Sequence, residues 1–332
     1  MTRPRNPALL LLLAVCHIGF SQSPANENYL GTVSGRIYSN FNYGLNAPSQ
    51  ATAFELTRAY FGYERQISEH FSAEVKLDVG SPDDLSEFSR LRRYAYFKNA
   101  GVTYQKGAFT AWGGLFDMQQ FKVQEKFWDY RYLYKSYMDE YRFGPSADLG
   151  AGARYRFSDK VESDLVISNG EGYSSPQRDD TYKIGWGLSY RPSAALTFRS
   201  YYAIFTSTTP QMTFSGFAGY RNGNFRMAGE YNYQRNYQSN KNRDRYGYSV
   251  YSTYAFSNQW EVFLRYDQLF SNILPDNEIP WNLPNDGSAL IGGLQYTPVR
   301  NIHITLDYQD WVEYAGNGAK EQLIYVHLEA DF

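Results

Sequence analysis

Hydrophobic and polar residues alternate one by one through much of the chain, and the pattern is clear in its last eleven residues. Within 322–332, Val326 and Leu328 share one face with other apolar residues, while His327 and Glu329 share the other. Successive side chains of a β-strand point to opposite faces. A strand that is apolar on one face and mostly polar on the other lies between two different solvents.

The same alternation recurs in fifteen earlier segments, so the chain is predicted to be all-β with about sixteen strands. Strand parity is ambiguous in 53–66, 91–104 and 212–221, where a bulge would shift it. The predicted strands are 32–43, 53–66, 71–79, 91–104, 108–116, 146–157, 161–168, 181–191, 196–205, 212–221, 225–234, 245–256, 260–270, 288–298, 302–312 and 322–332.

Short and long connections alternate between these strands. The short ones are 68–70, 105–107, 158–160, 191–193, 221–223, 257–258 and 300–301. The long ones are 44–52, 80–90, 117–145, 169–180, 206–211, 235–244, 271–287 and 313–321. Short turns at one end and long loops at the other are typical of bacterial outer-membrane barrels, in which the short turns are periplasmic. An even number of strands places both termini at that end.

The first 22 residues are predicted to be a secretory signal peptide, leaving 23–332 as one barrel domain. Arg3 and Arg5 precede an apolar run, and a polar segment follows it. The run is too short for a transmembrane helix, which needs about 20 apolar residues. Cys16, the single cysteine, lies inside this segment. The mature chain therefore holds no disulfide and no cysteine metal site.

Composition supports a barrel with lipid outside and water inside. Aromatic residues reach 18%, yet the mean hydropathy is −0.56 and no later segment resembles a transmembrane helix. This combination fits an apolar outer band around a polar interior. The formal net charge of −2 gives no reason to expect nucleic acid as a partner.

The third long connection, 117–145, breaks the strand pattern and is the candidate pore constriction. It is the longest connection and its middle has a helical character. Charges of both signs across a narrow opening set a size limit and an electric field. The alternative is a surface loop with solvated charges, which would not need so many aromatic residues. The candidate constriction residues are Lys122, Glu125, Lys126, Asp129, Arg131, Lys135, Asp139, Glu140 and Arg142.

Strand parity also predicts which charged residues line the water-filled lumen. Basic and acidic candidates are nearly balanced, so the sequence predicts at most a mild anion preference. The main candidates are Arg36, Arg58, Lys76, Arg154, Arg156, Arg226, Arg265 and Asp267.

Several motifs resemble those of the phosphate-selective (O/P) type of bacterial outer-membrane porin. These are the segment 54–63, the glycine-rich entry 113–116 and the turn 168–172; the pattern over 119–148 looks like porins of Bacteroidetes-like bacteria. The terminal Phe332 looks like the insertion signal that barrels present to their assembly machinery. The resemblance implies a trimeric, passive diffusion channel for small hydrophilic solutes, in contact with the lipid bilayer and lipopolysaccharide.

Two other function classes stay open from sequence. One is a structural, adhesion or export-associated barrel without a channel. The other is an outer-membrane hydrolase, for which the chain offers four histidines and no spacing that pairs one with a serine nucleophile. No phosphate loop, HExxH or CxxC motif occurs, and we expect no enzyme activity, no cofactor and no metal.

Overall fold

The computed structural model describes residues 31–46, 52–80, 94–316 and 321–332, and it consists almost entirely of β-strands. The predicted signal peptide and most of the predicted loop 80–90 lie outside these residues. The strands are β1 Thr32–Asn46, β2 Ala53–Gln66, β3 Phe71–Gly80, β4 Tyr94–Lys106, β5 Phe109–Asp117, β6 Ala147–Arg156, β7 Val161–Ser168, β8 Lys183–Tyr190, β9 Leu196–Phe205, β10 Gln211–Asn222, β11 Phe225–Arg235, β12 Arg245–Ala255, β13 Trp260–Ser271, β14 Gly287–Val299, β15 Ile302–Glu313 and β16 Glu321–Asp331.

Each strand pairs antiparallel with the next, and β1 pairs with β16, so the sheet closes into a sixteen-stranded barrel. The predicted fold class and strand number are thereby confirmed. Three predicted strands, 53–66, 161–168 and 196–205, coincide with the observed bounds. Closure pairs the backbone groups of both would-be edge strands, as a sheet surrounded by lipid requires.

The alternation of short and long connections is also present. The short turns and both described ends of the barrel lie at one end, where Asp331 N–H donates to the carbonyl of Asn301 in the last short turn at 2.9 Å. The long connections lie at the other end. The longest of them, 118–146, follows β5 and is named the long loop below.

The two faces of the barrel differ as the sequence pattern predicts. On β13, Val262 and Leu264 are exposed on the outer surface, while Phe263, Arg265 and Asp267 are buried inside. The outer surface is an extended apolar band, and polar side chains predominate within. Such a distribution suits hydrocarbon outside and water inside.

Bulges account for two of the three strands whose parity was ambiguous. Thr57 is an extra residue in β2 opposite β1, and Lys98 is an extra residue in β4 opposite β3. The second bulge turns Lys98 inward beside Asn99, so both side chains are buried. No register shift occurs in the pairing of β10 with either neighbour.

The barrel closes at a seam that involves the last residue. The backbone N–H of Phe332 donates to the carbonyl of Gly35 at 2.9 Å, and the reverse bond measures 2.7 Å. The aromatic ring of Phe332 lies over Gly35, where any Cβ would collide with it. The small residue in β1 therefore lets the terminal ring pack closely against the strand.

Helical structure is minor. The long loop contains α1 (Lys122–Trp128) and α2 (Tyr137–Glu140), and two other long connections contain 3-10 turns, Tyr237–Ser239 and Leu283–Asn285. Within the described residues, no helix has the length and apolar character needed to cross a bilayer.

The apolar outer surface generates a stability prediction. Leu264, which is 55% exposed at mid-height on β13, should contact hydrocarbon directly. We expect Leu264→Arg to lower the free energy of unfolding in lipid vesicles by about 2–4 kcal/mol, and Val299→Arg, beside a short turn, by about 0–1 kcal/mol. Equal losses at the two depths, measured by urea titration, would contradict a membrane-embedded outer face.

Candidate functional site

The long loop lies against the inner wall of the barrel. Its first helix, α1, ends at Asp129, whose backbone is left-handed (φ 69°) and whose N–H donates to the carbonyl of Glu125 at 3.0 Å. This residue turns the chain so that the aromatic segment that follows runs along the strands. Asp occupies such a position more readily than most residues other than Gly.

Aromatic packing fixes one side of the loop to strands β10 to β14. Ring centroids are 4.9 Å apart for Trp128 and Tyr251, and 4.5 Å apart for Tyr130 and Phe263. These wall residues point inward, although most inward positions of the barrel are polar. Phe127, Leu133 and Ile291 belong to the same buried cluster. The loop thus has an apolar core of its own inside the barrel.

Four arginines of the inner wall donate hydrogen bonds to the loop at four points along its length. Arg199 on β9 donates to the carbonyl of Gln119, and Arg226 on β11 donates to the carboxylate of Asp129. Arg245 on β12 donates to the carbonyl of Arg142, and Arg265 on β13 donates to the carbonyl of Lys135. Hydrogen bonds from charged donors are stronger than neutral ones. The arginines therefore hold the loop along one side of the barrel.

Arg265 is the central member of this set. It makes two parallel hydrogen bonds to Asp267, at 2.8 and 2.6 Å, and a third to the carbonyl of Lys135 at 2.8 Å. Its guanidinium also lies over the rings of Trp128 and Tyr134. Both members of the ion pair are sealed from water, with exposed fractions of 1% and 0%.

Glycine at position 247 makes room for the second helix of the loop. The Tyr137 hydroxyl donates to the carbonyl of Gln268 at 2.8 Å, and a Cβ at Gly247 would occupy the space of that hydroxyl. Phe121 and Phe143 pack beside Tyr137 in a second buried cluster, so the two ends of the long loop lie close together.

The charges of the loop largely pair among themselves. Arg131 contacts the carboxylates of Glu125, at 2.9 Å, and Asp139. Burial raises the pKa of Asp139, but Arg131 and Lys135 outweigh it, and the pKa lies below the ordinary value. Burial likewise raises the pKa of Glu140; there Lys135 and Arg265 do not compensate, and the pKa stays above its ordinary value. Glu140 therefore loses its charge at a less acidic pH than an ordinary glutamate.

Three cavities with shared lining residues follow one another along the barrel beside the long loop: one at the short-turn end, one in the middle against β1, β2 and β16, and one at the long-loop end beside β8 to β11. The short-turn cavity has a volume of about 680 Å³, the middle cavity about 380 Å³ and the long-loop cavity about 810 Å³. Tyr38 lines the first two, Arg58 and Lys135 line the last two, and Arg131 lines all three. Arg131 therefore lies where the three cavities meet.

All nine charged residues predicted from the loop face cavities inside the barrel, but they divide among different levels. Arg131, Lys135 and Glu140 line the middle cavity. Asp139 and Arg142 line the long-loop cavity. Lys122, Glu125, Lys126 and Asp129 line the short-turn cavity. The prediction placed all nine residues at one constriction, whereas the loop runs along the barrel and distributes them over its height.

The eight predicted lumen residues also lie on the inner face, with one correction. Arg36, Arg58 and Arg226 line the cavities described above, and Arg154 lines a further one of about 490 Å³ between α1 and the wall formed by β6 to β9. Lys76, paired with Glu74 at 2.7 Å, and Arg156 lie on the inner face outside those cavities. Arg265 and Asp267 do not line water, because the long loop covers them. Parity predicts the face of a residue but not what a distant loop places over it.

Sequence reasoning missed the apolar part of the inner wall. Phe263 points inward between the exposed Val262 and Leu264, and Ile291 points inward after the exposed Leu290. The sequence does carry a signal for these inward apolar residues, because hydrophobic and polar residues stop alternating in the runs 262–264 and 289–291. Within the described residues, no cluster of three or more His, Cys, Asp or Glu side chains could hold a metal ion.

Comparison with known proteins gives similarity in structure alone. No protein-family model matches the chain, and no curated protein matches its sequence. The structure resembles Salmonella typhi OmpF, solved as a complex with daunomycin, with a TM-score of 0.68 and 14% identity over 93% of this chain and 99% of that one.

Two further solved structures are similar at the same level. Pseudomonas putida OprB gives a TM-score of 0.67 with 9% identity, over 92% of this chain and 94% of that one. OmpT, an outer membrane protein of Vibrio cholerae, gives 0.64 with 10% identity, over 93% and 99%. These TM-scores show that the chain shares the sixteen-stranded barrel fold of outer-membrane porins.

The arginine that anchors the loop generates a prediction. We expect Arg265→Met to lower the free energy of unfolding by about 3–5 kcal/mol, because Asp267 would remain buried without its partner. The double variant Arg265→Met/Asp267→Leu should recover most of that loss. Arg154→Met is the matched control, since its partner Glu162 lies 3.9 Å away in a partly exposed pair worth about 0–1 kcal/mol. Equal losses for the two single variants would contradict the anchoring role.

Proposed function

We propose that the chain is an outer-membrane porin, a passive diffusion channel for small hydrophilic solutes and ions. The observation that carries the proposal is the series of three adjoining cavities through a closed barrel, each lined by Arg131. The polar inner wall and the apolar outer surface agree with this role. The signal-like segment 1–22 and the position of the short turns support an outer-membrane location with both termini in the periplasm.

The long loop is proposed to be the constriction of this channel. At the middle of the barrel it packs on β10 to β14 and leaves the middle cavity, beside β16, β1 and β2, for solutes. Support comes from the aromatic packing and the four arginine contacts, which a loop on the outside of the barrel would not make. A fixed loop gives the opening a fixed size.

A mild anion preference is proposed from the charges of the middle cavity. Lys135 faces this cavity, and within the described residues no carboxylate lies at ion-pair distance from its Nζ. By contrast, Arg58 pairs with Asp78 at 2.8 Å. Glu55 and Glu140 also line this cavity, so the preference that Lys135 confers is small.

The partners follow from the location and the fold. We propose that the barrel contacts the bilayer and lipopolysaccharide, is inserted by the barrel-assembly machinery through Phe332, and forms a homotrimer. One similar Vibrio cholerae OmpT structure is described as a trimer form. The motifs at 54–63 and 113–116 support a place near the phosphate-selective (O/P) type and near porins of Bacteroidetes-like bacteria.

Two alternatives would account for the barrel without a channel. A structural, adhesion or export-associated barrel would be favoured if no current passes through it. A hydrolase would need a nucleophile beside one of the described histidines. His303 contacts Thr297 at 3.0 Å and His327 contacts Asp307 at 3.2 Å, and neither accepts a hydrogen bond from a serine in the described part of the chain.

Single-channel recording in planar bilayers tests the channel and its constriction together. The folded protein should give ohmic conductance steps. Deleting 122–140 should raise the step size severalfold, because Phe121 belongs to the cluster against which Tyr141 packs, and a short linker can join the two ends while the wall remains intact.

Heat-modifiable migration on gels is the control that the deletion variant folds. Folded wild-type protein that gives no steps would overturn the channel. An unchanged step size in the folded deletion variant would overturn the constriction and leave the channel standing.

The charge of Lys135 should set ion preference. A unit charge about 4 Å from a passing ion contributes about 1 kcal/mol in water, so Lys135→Glu should shift the anion-to-cation permeability ratio toward cations at least about fivefold. Lys241→Glu makes the same change at an exposed site in the connection after β11, outside the three cavities, and should leave the ratio unchanged. Reversal potentials in a salt gradient measure both, and equal shifts would contradict the assignment.

A further inference from the structure

Buried oxygen atoms without hydrogen-bond partners cluster between the long loop and the wall formed by β10 to β12. They are Asn232 Oδ1 on β11, Ser249 Oγ and the Tyr251 hydroxyl on β12, and Gln124 Oε1 on α1. Each of these residues is at most 3% exposed, and none of the four atoms has a hydrogen-bond partner among the described residues. Buried polar atoms are nearly always hydrogen-bonded in folded proteins, so four of them in one region require a physical cause.

Strand pairing and hydrogen bonds place these residues side by side around Glu230. Ser249 is directly opposite Glu230 in the pairing of β11 with β12, and the Asn232 amide donates to the Glu230 carboxylate at 3.0 Å. Asn232 is opposite Ser215 on β10, and the Ser215 hydroxyl accepts from the Gln124 amide at 3.3 Å. Directly paired residues of antiparallel strands have Cβ atoms about 4.5–5.5 Å apart. Gln124 therefore closes the cluster from the side of the loop.

Glu230 is a buried carboxylate without a cationic partner. The residue is 5% exposed, and in the described part of the chain no Lys, Arg or His lies at ion-pair distance from it. Besides the Asn232 amide, the backbone N–H of Tyr137 in the long loop lies close to the carboxylate. Removing a carboxylate from water is costly unless a proton or an opposite charge neutralises it. Either a proton or a cation must therefore accompany Glu230 when the loop covers it.

The arginines of the same wall do not supply that positive charge. Arg226 and Arg265 already pair with carboxylates of their own. The guanidinium of Arg245, further along β12, is stacked on the rings of Phe143 and Tyr237. The remaining groups of the cluster are neutral amides and hydroxyls. The cluster as a whole therefore carries a single negative charge, which one monovalent cation balances.

We propose that this cluster binds a monovalent alkali cation of the size of Na⁺, which holds the long loop on the wall. Hard cations prefer oxygen ligands, and the cluster offers carboxylate, amide and hydroxyl oxygens from two strands and the loop. The ligands are the Glu230 carboxylate and the unpartnered oxygens of Gln124, Asn232, Ser249 and Tyr251.

The burial of the cluster determines how the ion enters. Because its residues are nearly sealed from water, the ion is enclosed when the loop folds onto the wall and exchanges only when the loop lifts. The inference concerns the packing of the loop, so it stands whether or not the barrel conducts ions.

Refolding in different salts tests for the ion. The full chain is refolded from urea into detergent in NaCl or in choline chloride at the same ionic strength, and thermal unfolding is followed by heat-modifiable migration on gels. The midpoint should be about 2–5 °C higher in NaCl, because a bound ion stabilises only the folded state. Choline is too large for the cluster. Equal midpoints would mean that a proton neutralises Glu230, and they would overturn the proposal.

Variants assign the salt effect to the cluster. Glu230→Gln keeps the size of the side chain and removes its charge, so its midpoint should be the same in both salts. Glu162→Gln is the matched control, because this inward glutamate lies in a partly exposed pair with Arg154, and it should keep the difference. Ser249→Ala should raise the Na⁺ concentration for half of the stabilisation about fivefold, the loss expected for one polar contact. A salt difference that survives unchanged in both Glu230→Gln and Ser249→Ala would overturn the assignment.

Anomalous X-ray scattering locates the ion directly. Thallium(I) is a monovalent cation that substitutes for alkali ions and scatters anomalously. Crystals of the barrel refolded in thallium acetate should show an anomalous peak between Glu230, Asn232 and Ser249. Density for water without an anomalous signal at this place, in a crystal with the long loop packed on the wall, would overturn the proposal.

Discussion

Closure of the sheet through β1 and β16 is the constraint on which the rest of the structure depends. A closed antiparallel sheet satisfies its backbone hydrogen bonds without leaving an edge strand. Closure also separates an inner face of the sheet from an outer face. Every residue must then face one of two environments. The period-two pattern is the consequence, and the bulges at Thr57 and Lys98 are the places where the chain changes which residue faces in.

The inside of the barrel is not uniform, and its asymmetry gives the site. The wall formed by β9 to β14 carries inward-facing rings and four arginines, whereas the wall formed by β16, β1 and β2 carries tyrosines, amides and paired charges. The long loop packs on the first wall and faces the second. The middle cavity therefore lies between a fixed loop and the tyrosines of β1, β2 and β16.

Burial of Arg265 and Asp267 illustrates how such a loop is held. An ion pair without access to water is stabilising only when its geometry is good and its remaining donors are used. Here the guanidinium bonds both carboxylate oxygens and a loop carbonyl, and it lies between two rings. Removing the loop would expose the pair to water, and the loop in turn depends on the pair for position.

The sequence by itself determined the strands, their number, the alternation of turn lengths and the face on which most side chains lie, because a period of two follows from local backbone geometry. It also identified 117–145 as unlike the rest. Tertiary structure alone decided which inward residues meet water and which lie beneath the loop, as at Arg265. It also brought Tyr60, Tyr132 and Tyr325 to one cavity. Those contacts join residues far apart in the chain, and no local pattern encodes them.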